Sequence, residues 1–249
     1  ASPTSPPTTP ATEEPTDTPT PTDEPPPTPD TPTATEPTGP VVAFPDEFGF
    51  KGLTPLFVVL LRELGCECRV KRHAGRDTLQ RGIEGAGIPY CAPMQLIHGA
   101  YFDLAEGRPD WLLLPVFKGL PRVAGEEHGT LCPMVIGSAD ILASLLEPKG
   151  ARLLRPTIDF DGDGYDRASV REQLQQMAES LGRADRFTVA WSKAVAAQQH
   201  FDAECLAIGQ RALDFCKAHQ VVPVAVLGRP YTIHNDLLNS NVPSLLRGL

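Results

Sequence analysis

The chain has 249 residues and a formal net charge of -9, from 22 basic and 31 acidic side chains. Seven of the acids lie within residues 1–40, so residues 41–249 carry a net charge of only -2, which disfavours a nucleic-acid-binding domain. No apolar run in the sequence is long enough to cross a bilayer, which disfavours a membrane protein.

Residues 1–40 contain 14 Pro and 13 Thr but no Lys or Arg, and almost no large apolar side chain. Such a segment cannot bury enough surface to offset the entropy lost on folding. We therefore predict a disordered, partly extended linker rich in Pro and Thr. Residues 41–249 are long enough for one α/β domain, which we expect to form two lobes, about 41–155 and 156–249, and to be truncated at its C-terminus.

The pattern after the linker favours strands alternating with helices. Val41–Phe44 predicts a strand, residues 53–64 predict a helix that ends at Gly65, and Cys66–Val70 predicts a second strand with both cysteines on its inward face. Further helices are predicted over residues 76–84, 93–105, 169–181 and 185–218, and further buried strands over residues 110–116 and 221–227. The fold class is thus α/β, a Rossmann-like and mostly parallel sheet flanked by helices.

Two cysteines stand at predicted loop-to-helix junctions. Cys91 lies two residues before Pro93 and Cys132 lies directly before Pro133, and proline is favoured in the first turn of a helix. A thiol placed there is close to the positive end of the helix dipole, which favours the thiolate that binds metals or attacks electrophiles. A small buried cysteine suits the same local pattern. If both loops follow strands of an open sheet, the two thiols could face one site.

The six cysteines include no Cys-x-x-Cys pair and form no dense disulfide framework. This favours a reduced, cytoplasmic setting. Cys205 and Cys216 fall on the apolar side of the long helix predicted over residues 185–218, together with Phe201, Ile208 and Phe215, and we interpret that side as core.

The predicted strand Val221–Leu227 leads into Gly228-Arg-Pro-Tyr231-Thr-Ile-His234. Arg229 could hold a carboxylate or phosphate, and Tyr231 and His234 could position or protonate a ligand. A turn with exposed polar side chains explains the same residues. A separate acidic loop, Asp159–Asp166, resembles the first half of a calcium loop, but Val170 stands where a bidentate Glu is required, so we interpret it as a solvated loop.

The stretches Cys91-Ala-Pro93 with His98-Gly99, Cys132-Pro133, Gly228-Arg-Pro-Tyr231 and Asn239-Ser-Asn-Val-Pro243 carry a family resemblance. From about Val41 to its end, the chain resembles the 2-hydroxyacyl-CoA dehydratase-like domain of proteins related to the activators of 2-hydroxyacyl-CoA dehydratases and benzoyl-CoA reductases.

This resemblance implies Rossmann-like lobes, a [4Fe-4S] cluster and electrons supplied by an ATP-driven activator. It implies that Cys91 and Cys132 are cluster ligands, whereas the other four cysteines match no ligand position. Because a cluster takes about four ligands, the resemblance also implies further ligands beyond Leu249. The linker could tether the ATP-hydrolysing activator nearby.

Two functions therefore stand side by side. The first is an iron-sulfur redox component that accepts low-potential electrons for reduction or dehydration of a CoA-thioester-type substrate, with His98, Arg229, Tyr231 and His234 as substrate-positioning residues. The second is a non-catalytic docking or scaffold module with structural cysteines. A nucleotide-binding fold acting alone is disfavoured, because the sequence has neither a Gly-x-x-x-x-Gly-Lys loop nor a Gly-x-Gly-x-x-Gly fingerprint.

Overall fold

The computed structural model describes residues 39–122, 127–162 and 164–248. The predicted linker therefore lies outside the described residues except for Gly39 and Pro40, and the proposed division into two lobes stays a prediction. The strands are β1 (Val41–Pro45), β2 (Glu67–Lys71), β3 (Trp111–Leu113), β4 (Val116–Gly119), β5 (Leu153–Leu154) and β6 (Thr157–Asp159). The helices are α1 (Thr54–Glu63), α2 (Arg76–Ala86), α3 (Ala92–Glu106), α4 (Pro133–Leu146), α5 (Ala168–Ser180), α6 (Phe187–His219), α7 (Pro230–Ile233) and α8 (Val242–Arg247).

The central sheet has the strand order β2-β1-β3-β5, and β4 pairs with β6 beside it. Every pair of these strands is parallel. β4 continues β3 and β6 continues β5 across short gaps, where the Leu114 amide donates to the Leu154 carbonyl and the Val116 amide donates to the Pro156 carbonyl. The α/β prediction with a mostly parallel sheet flanked by helices is confirmed.

The prediction of one continuous strand over residues 110–116 is wrong, because this segment forms parts of two strands, β3 and β4. Pro115 and Pro156 lie at the breaks between β3 and β4 and between β5 and β6. Proline has no backbone N–H, so each one interrupts the ladder of hydrogen bonds. Two short ladders therefore replace one long one.

The chain changes direction in the sheet between β1 and β3. From β1 it crosses to β2 through α1, and from β2 it returns through α2 and α3 to β3, on the other side of β1. Right-handed crossovers of opposite direction place their helices on opposite faces. Accordingly α1 packs with α6, whereas α3 packs with α2 and α4.

An aromatic cluster fills the core under the carboxyl ends of β1 and β4. The rings of Phe44 and Phe50 stack with their centroids 4.7 Å apart, and Phe117 meets Phe50 edge-on at 5.0 Å. Gly49 lies directly above, and a Cβ on it would be 2.3 Å from the Phe117 ring. The close approach of this loop to the core therefore depends on glycine.

The prediction for residues 221–227 is wrong. This segment has no regular secondary structure, and Val222 and Leu227 are 81% and 92% exposed. An apolar run becomes a strand only where a neighbouring strand and covering layers are available. The segment instead follows α6, which has 33 residues and is therefore about 50 Å long.

The second half of α6 corrects another prediction. Phe201, Ile208 and Phe215 were expected in the core but are 39%, 55% and 58% exposed. Cys205 is also exposed and Cys216 is half-buried. Only the first half of α6 packs against α1, because Phe187, Ala190, Trp191, Ala194 and Gln198 are the buried residues of this helix.

Candidate functional site

A cavity of about 350 Å³ lies at the carboxyl ends of β1 and β4. Its wall is built from three parts of the chain: Phe48, Gly49 and Lys51 after β1; residues 120–122 and 128–132 after β4; and Gly228–Tyr231. In open α/β sheets, ligands bind outside the carboxyl ends of the strands at the point where the strand order reverses. The cavity occupies that point, between β1 and β3, which β4 continues after a short gap.

Cys91 and Cys132 both lie at the N-terminal caps of helices, as the sequence predicts. Cys91 caps α3 and accepts a hydrogen bond from the Gln95 amide, and Cys132 caps α4 and accepts bonds from the amides of Val135 and Ile136, in each case through the backbone carbonyl. Cys91 is exposed and Cys132 is half-buried, so neither is a fully buried core cysteine.

Arg229 lies within electrostatic range of both thiols. The Tyr231 hydroxyl and the Cys132 and Cys91 thiols all lie near enough to raise the pKa of the Arg229 guanidinium. Cys132, Arg229 and Tyr231 line the cavity, whereas Cys91 lies outside its wall but within range of the same arginine. The structure thus brings three of the six predicted site residues, Cys132, Arg229 and Tyr231, together at the cavity.

Tyr231 is held against the body of the protein. Its ring packs on Phe48 with the centroids 5.0 Å apart, and only 5% of the residue is exposed. Burial raises the pKa of its hydroxyl, and the Arg229 guanidinium lowers it in part. Tyr231 is therefore protonated at neutral pH and can donate a hydrogen bond.

The two remaining predicted residues lie elsewhere. His98 is fully buried on α3, between the rings of Tyr90 and Phe102 at 5.3 and 6.2 Å, and burial lowers its pKa to about 4. Neither ring nitrogen has a hydrogen-bond partner among the described residues. His234 ends α7 and is exposed, outside the cavity wall.

Other charged side chains at the cavity are already paired. Lys51 lies 3.2 Å from an Asp46 carboxylate oxygen, and Arg122 lies 2.7 Å from an Asp161 carboxylate oxygen. The Asp161 carboxylate also accepts the Gly129 amide at 2.9 Å, which ties the acidic loop to the cavity wall. No ion pair of Arg229 with a carboxylate occurs among the described residues.

Sequence reasoning missed the loop after β1. Glu47 is 2% exposed there, and its Oε1 accepts a hydrogen bond of 2.8 Å from the Asn235 amide group. Phe48, the next residue, has a φ of 55°, which a non-glycine residue seldom adopts. The position of the loop at the end of the first strand was the available signal, because the strand order reverses beside it.

A mostly parallel sheet with its order reversed at β1, and a cavity at that point, defines an α/β domain of the doubly wound class. The chain belongs to the family described as CoA enzyme activase uncharacterised domain (DUF2229), whose model matches residues 41–249. The resemblance to activase-related proteins is thereby confirmed at the level of the family. Neither a curated protein nor a solved structure gives a match. Among the described residues, no helix combines the length and apolar character needed to span a membrane.

Proposed function

We propose that this domain is the iron-sulfur component of an ATP-driven redox system. It accepts low-potential electrons from an ATP-hydrolysing activator and uses them for reduction or dehydration of a CoA-thioester-type substrate. The observation that carries the proposal is that Cys132 and Arg229 line the strand-end cavity, with Cys91 within electrostatic range of the same arginine. Membership of an activase-related family supports an ATP-dependent partner.

The described residues fit a [4Fe-4S] cluster in part. Such a cluster takes about four ligands, and no group of three or more His, Cys, Asp or Glu side chains is placed for metal binding in the described segments. Cys91 and Cys132 would hold one side of the cluster, and the other ligands would come from outside these residues. When bound, the cluster would supply one-electron transfer at low potential.

Arg229 and Tyr231 have roles that do not depend on the cluster. The guanidinium lies at the cavity without a carboxylate partner in the described parts of the chain, so it is available to a carboxylate or phosphate group of a substrate. The protonated Tyr231 hydroxyl can donate a hydrogen bond to a carbonyl or thioester oxygen beside it. Together they would orient an anionic substrate at the thiols.

A docking module is the second candidate. The absence of a third ligand among the described residues favours it, because two cysteines can also be purely structural. In that case the loop Gly228–His234 would bind a partner or small anion through Arg229, with no electron transfer.

Anaerobic reconstitution with iron and sulfide distinguishes the redox function from the docking function. The protein should gain visible absorption and, after reduction, a paramagnetic resonance signal, and Cys91→Ser and Cys132→Ser should each remove most of both. Cys205→Ser and Cys216→Ser are matched controls, because one thiol is exposed like Cys91 and the other is half-buried like Cys132. Full cluster binding in the Cys91 and Cys132 variants would refute the ligand assignment.

The proposed closeness of the two thiols has its own test. A trivalent arsenical bridges two thiols only when the sulfur atoms come close together. Phenylarsine oxide should therefore protect Cys91 and Cys132 jointly from alkylation, as read by mass spectrometry, and leave Cys205 reactive. If each thiol is alkylated at its normal rate, the docking function gains over the redox function.

A further inference from the structure

The second half of α6 has an exposed apolar surface. It continues the face that is buried in the first half of the helix. Phe187, Trp191, Ala194 and Gln198 face α1, and Gln198 is anchored there because its amide group donates to the Gly52 carbonyl and its oxygen accepts from the Leu56 amide. Three- and four-residue steps from Gln198 lead along the same face of the helix. They reach five residues: Phe201, Cys205, Ile208, Ala212 and Phe215.

These five residues, which we term the α6 seam, keep a strict heptad spacing. Phe201, Ile208 and Phe215 are seven residues apart, and Cys205 and Ala212 repeat at the same interval between them. Apolar side chains at alternating steps of three and four residues are the pattern by which helices pair in coiled coils. Unlike the buried face of the first half of the helix, all five residues of the seam are exposed.

Charged residues border the seam on one side. Glu204 and Arg211 each directly precede a seam residue and are seven residues apart, so both lie on the same flank of the helix. Both are exposed, and neither forms a salt bridge among the described residues. Asp202, Gly209 and Cys216 border the opposite side, and the exposed Leu206 and Leu213 lie beyond them and widen the apolar surface.

The two charges favour one arrangement of two seams. In a two-fold, antiparallel pair of identical helices, equivalent flanks face each other, and a residue i that meets j implies that j meets i. With Cys205 beside Ile208 of the second copy, Glu204 lies near Arg211 of that copy, and Arg211 near its Glu204. In a parallel pair the same flank faces Gly209 and Cys216, which offer no charge.

We propose that the α6 seam is a homodimer interface in which α6 of a second copy packs antiparallel, with two reciprocal Glu204–Arg211 ion pairs. Because the charges of the helix complement those of an identical antiparallel helix, we assign the partner as a second copy of this chain. The interface uses no residue of the strand-end cavity and does not depend on the function proposed for it.

Sedimentation equilibrium of the whole chain at micromolar concentrations tests the dimer. The expected mass is twice 26.9 kDa, falling to the single-chain mass on dilution. Ile208→Asp should abolish the dimer, because it places a charge in the seam. Val189→Asp is the matched control, since Val189 is also an exposed apolar residue of α6 but lies outside the seam. A single-chain mass at every concentration would overturn the proposal and assign the surface to a different protein.

Charge reversal tests the antiparallel arrangement and its partner. Glu204→Arg and Arg211→Glu should each weaken the dimer about tenfold, because each turns two attractions into two repulsions. The double variant should restore most of the affinity. Circular dichroism should show unchanged helix content, since all these positions are exposed. Loss of affinity that the double variant does not restore would overturn the reciprocal pairing.

Discussion

Glu47 and His98 are buried titratable side chains whose pKa values move in opposite senses. Burial raises the pKa of Glu47 to about 7 and lowers the pKa of His98 to about 4. Each shift means that the folded protein favours the neutral form. Their effects on stability therefore depend on pH in opposite directions. Replacing each residue separately measures its own effect.

The Glu47→Gln variant should become more stable than the wild type as pH rises. The unfolded Glu47 loses its proton near its ordinary pKa of 4.5, whereas the folded carboxyl keeps it to about 7, so the wild type loses stability across this window. The free-energy difference should grow from near zero below pH 4.5 to about 3 kcal/mol above pH 7. Urea unfolding between pH 4 and pH 8 measures it. Glu84→Gln, at an exposed position, is the control, and a pH-independent difference would contradict the burial argument.

The His98→Leu variant should show the reverse trend. The unfolded histidine gains a proton near pH 6.5 and the folded one only near pH 4, so the wild type loses stability as pH falls through this window. The advantage of the leucine variant should grow by about 3 kcal/mol between pH 6.5 and pH 4. Urea midpoints across that range test it, with the exposed His200→Leu as control. An advantage that stays constant would show that His98 is not held neutral.

Helices α2 and α3 pack through a contact between glycines. A Cβ on Gly82 would lie 1.7 Å from the Gln95 carbonyl oxygen, and one on Gly99 would lie 1.7 Å from the Thr78 carbonyl oxygen. Both obstacles are backbone, which cannot move aside as a side chain does. The position of Cys91 at the start of α3 therefore depends on how closely α2 approaches.

Gly82→Ala should destabilise the protein by about 1–3 kcal/mol, because α2 must move away from α3. The matched control is Gly137→Ala in α4, where a Cβ would meet nothing within 4 Å. That change should stabilise by about 0.5–1 kcal/mol, since alanine suits a helix better than glycine. Chemical unfolding of both variants provides the comparison. If the two substitutions changed the free energy of unfolding equally, the close packing of α2 on α3 at Gly82 would be contradicted.

Prediction from sequence succeeded where the residues within an element are enough to define it. α1 and α3 were predicted to within two residues, because periodic apolar positions and nearby glycine or proline mark their ends. It failed where the outcome depends on a neighbour. The apolar run at residues 221–227 has no strand beside it among the described residues, and the face of α6 beyond Gln198 has no covering layer there.

The cavity shows the same limit for the whole molecule. Cys132 and the Gly228–Tyr231 loop were expected to meet because each was placed after a strand of the sheet, and Cys91 was expected to join them because it precedes a helix in the same way as Cys132. The loop does reach the cavity, but not from a strand; it returns from the far end of α6. Cys132 and this loop thus meet at the cavity, but the strand expected to lead into the loop is absent from the described residues. Glu47 and Asn235 escaped notice because their contact spans 188 residues of sequence.

Asn235 fastens this returning segment to the body of the protein. Its amide group donates to Glu47 at 2.8 Å and to the Ala74 carbonyl at 3.3 Å, and its oxygen accepts the amides of Leu237 and Leu238. Tyr231, four residues earlier, packs on Phe48 at the cavity. The cavity wall formed by Gly228–Tyr231 is therefore held in place from one buried amide.

Asn235→Ala should release the segment without unfolding the sheet, because the buried core lies mainly in other elements. Hydrogen exchange should accelerate at the amides of Leu237 and Leu238, and alkylation of Cys132 should become faster as Tyr231 moves away. Asn239→Ala is the matched control, since Asn239 lies in the same segment but is half-buried and bonds only locally. Unchanged exchange and unchanged Cys132 reactivity would show that Tyr231 holds the wall by itself. Faster exchange throughout the sheet would show instead that this contact supports the whole fold.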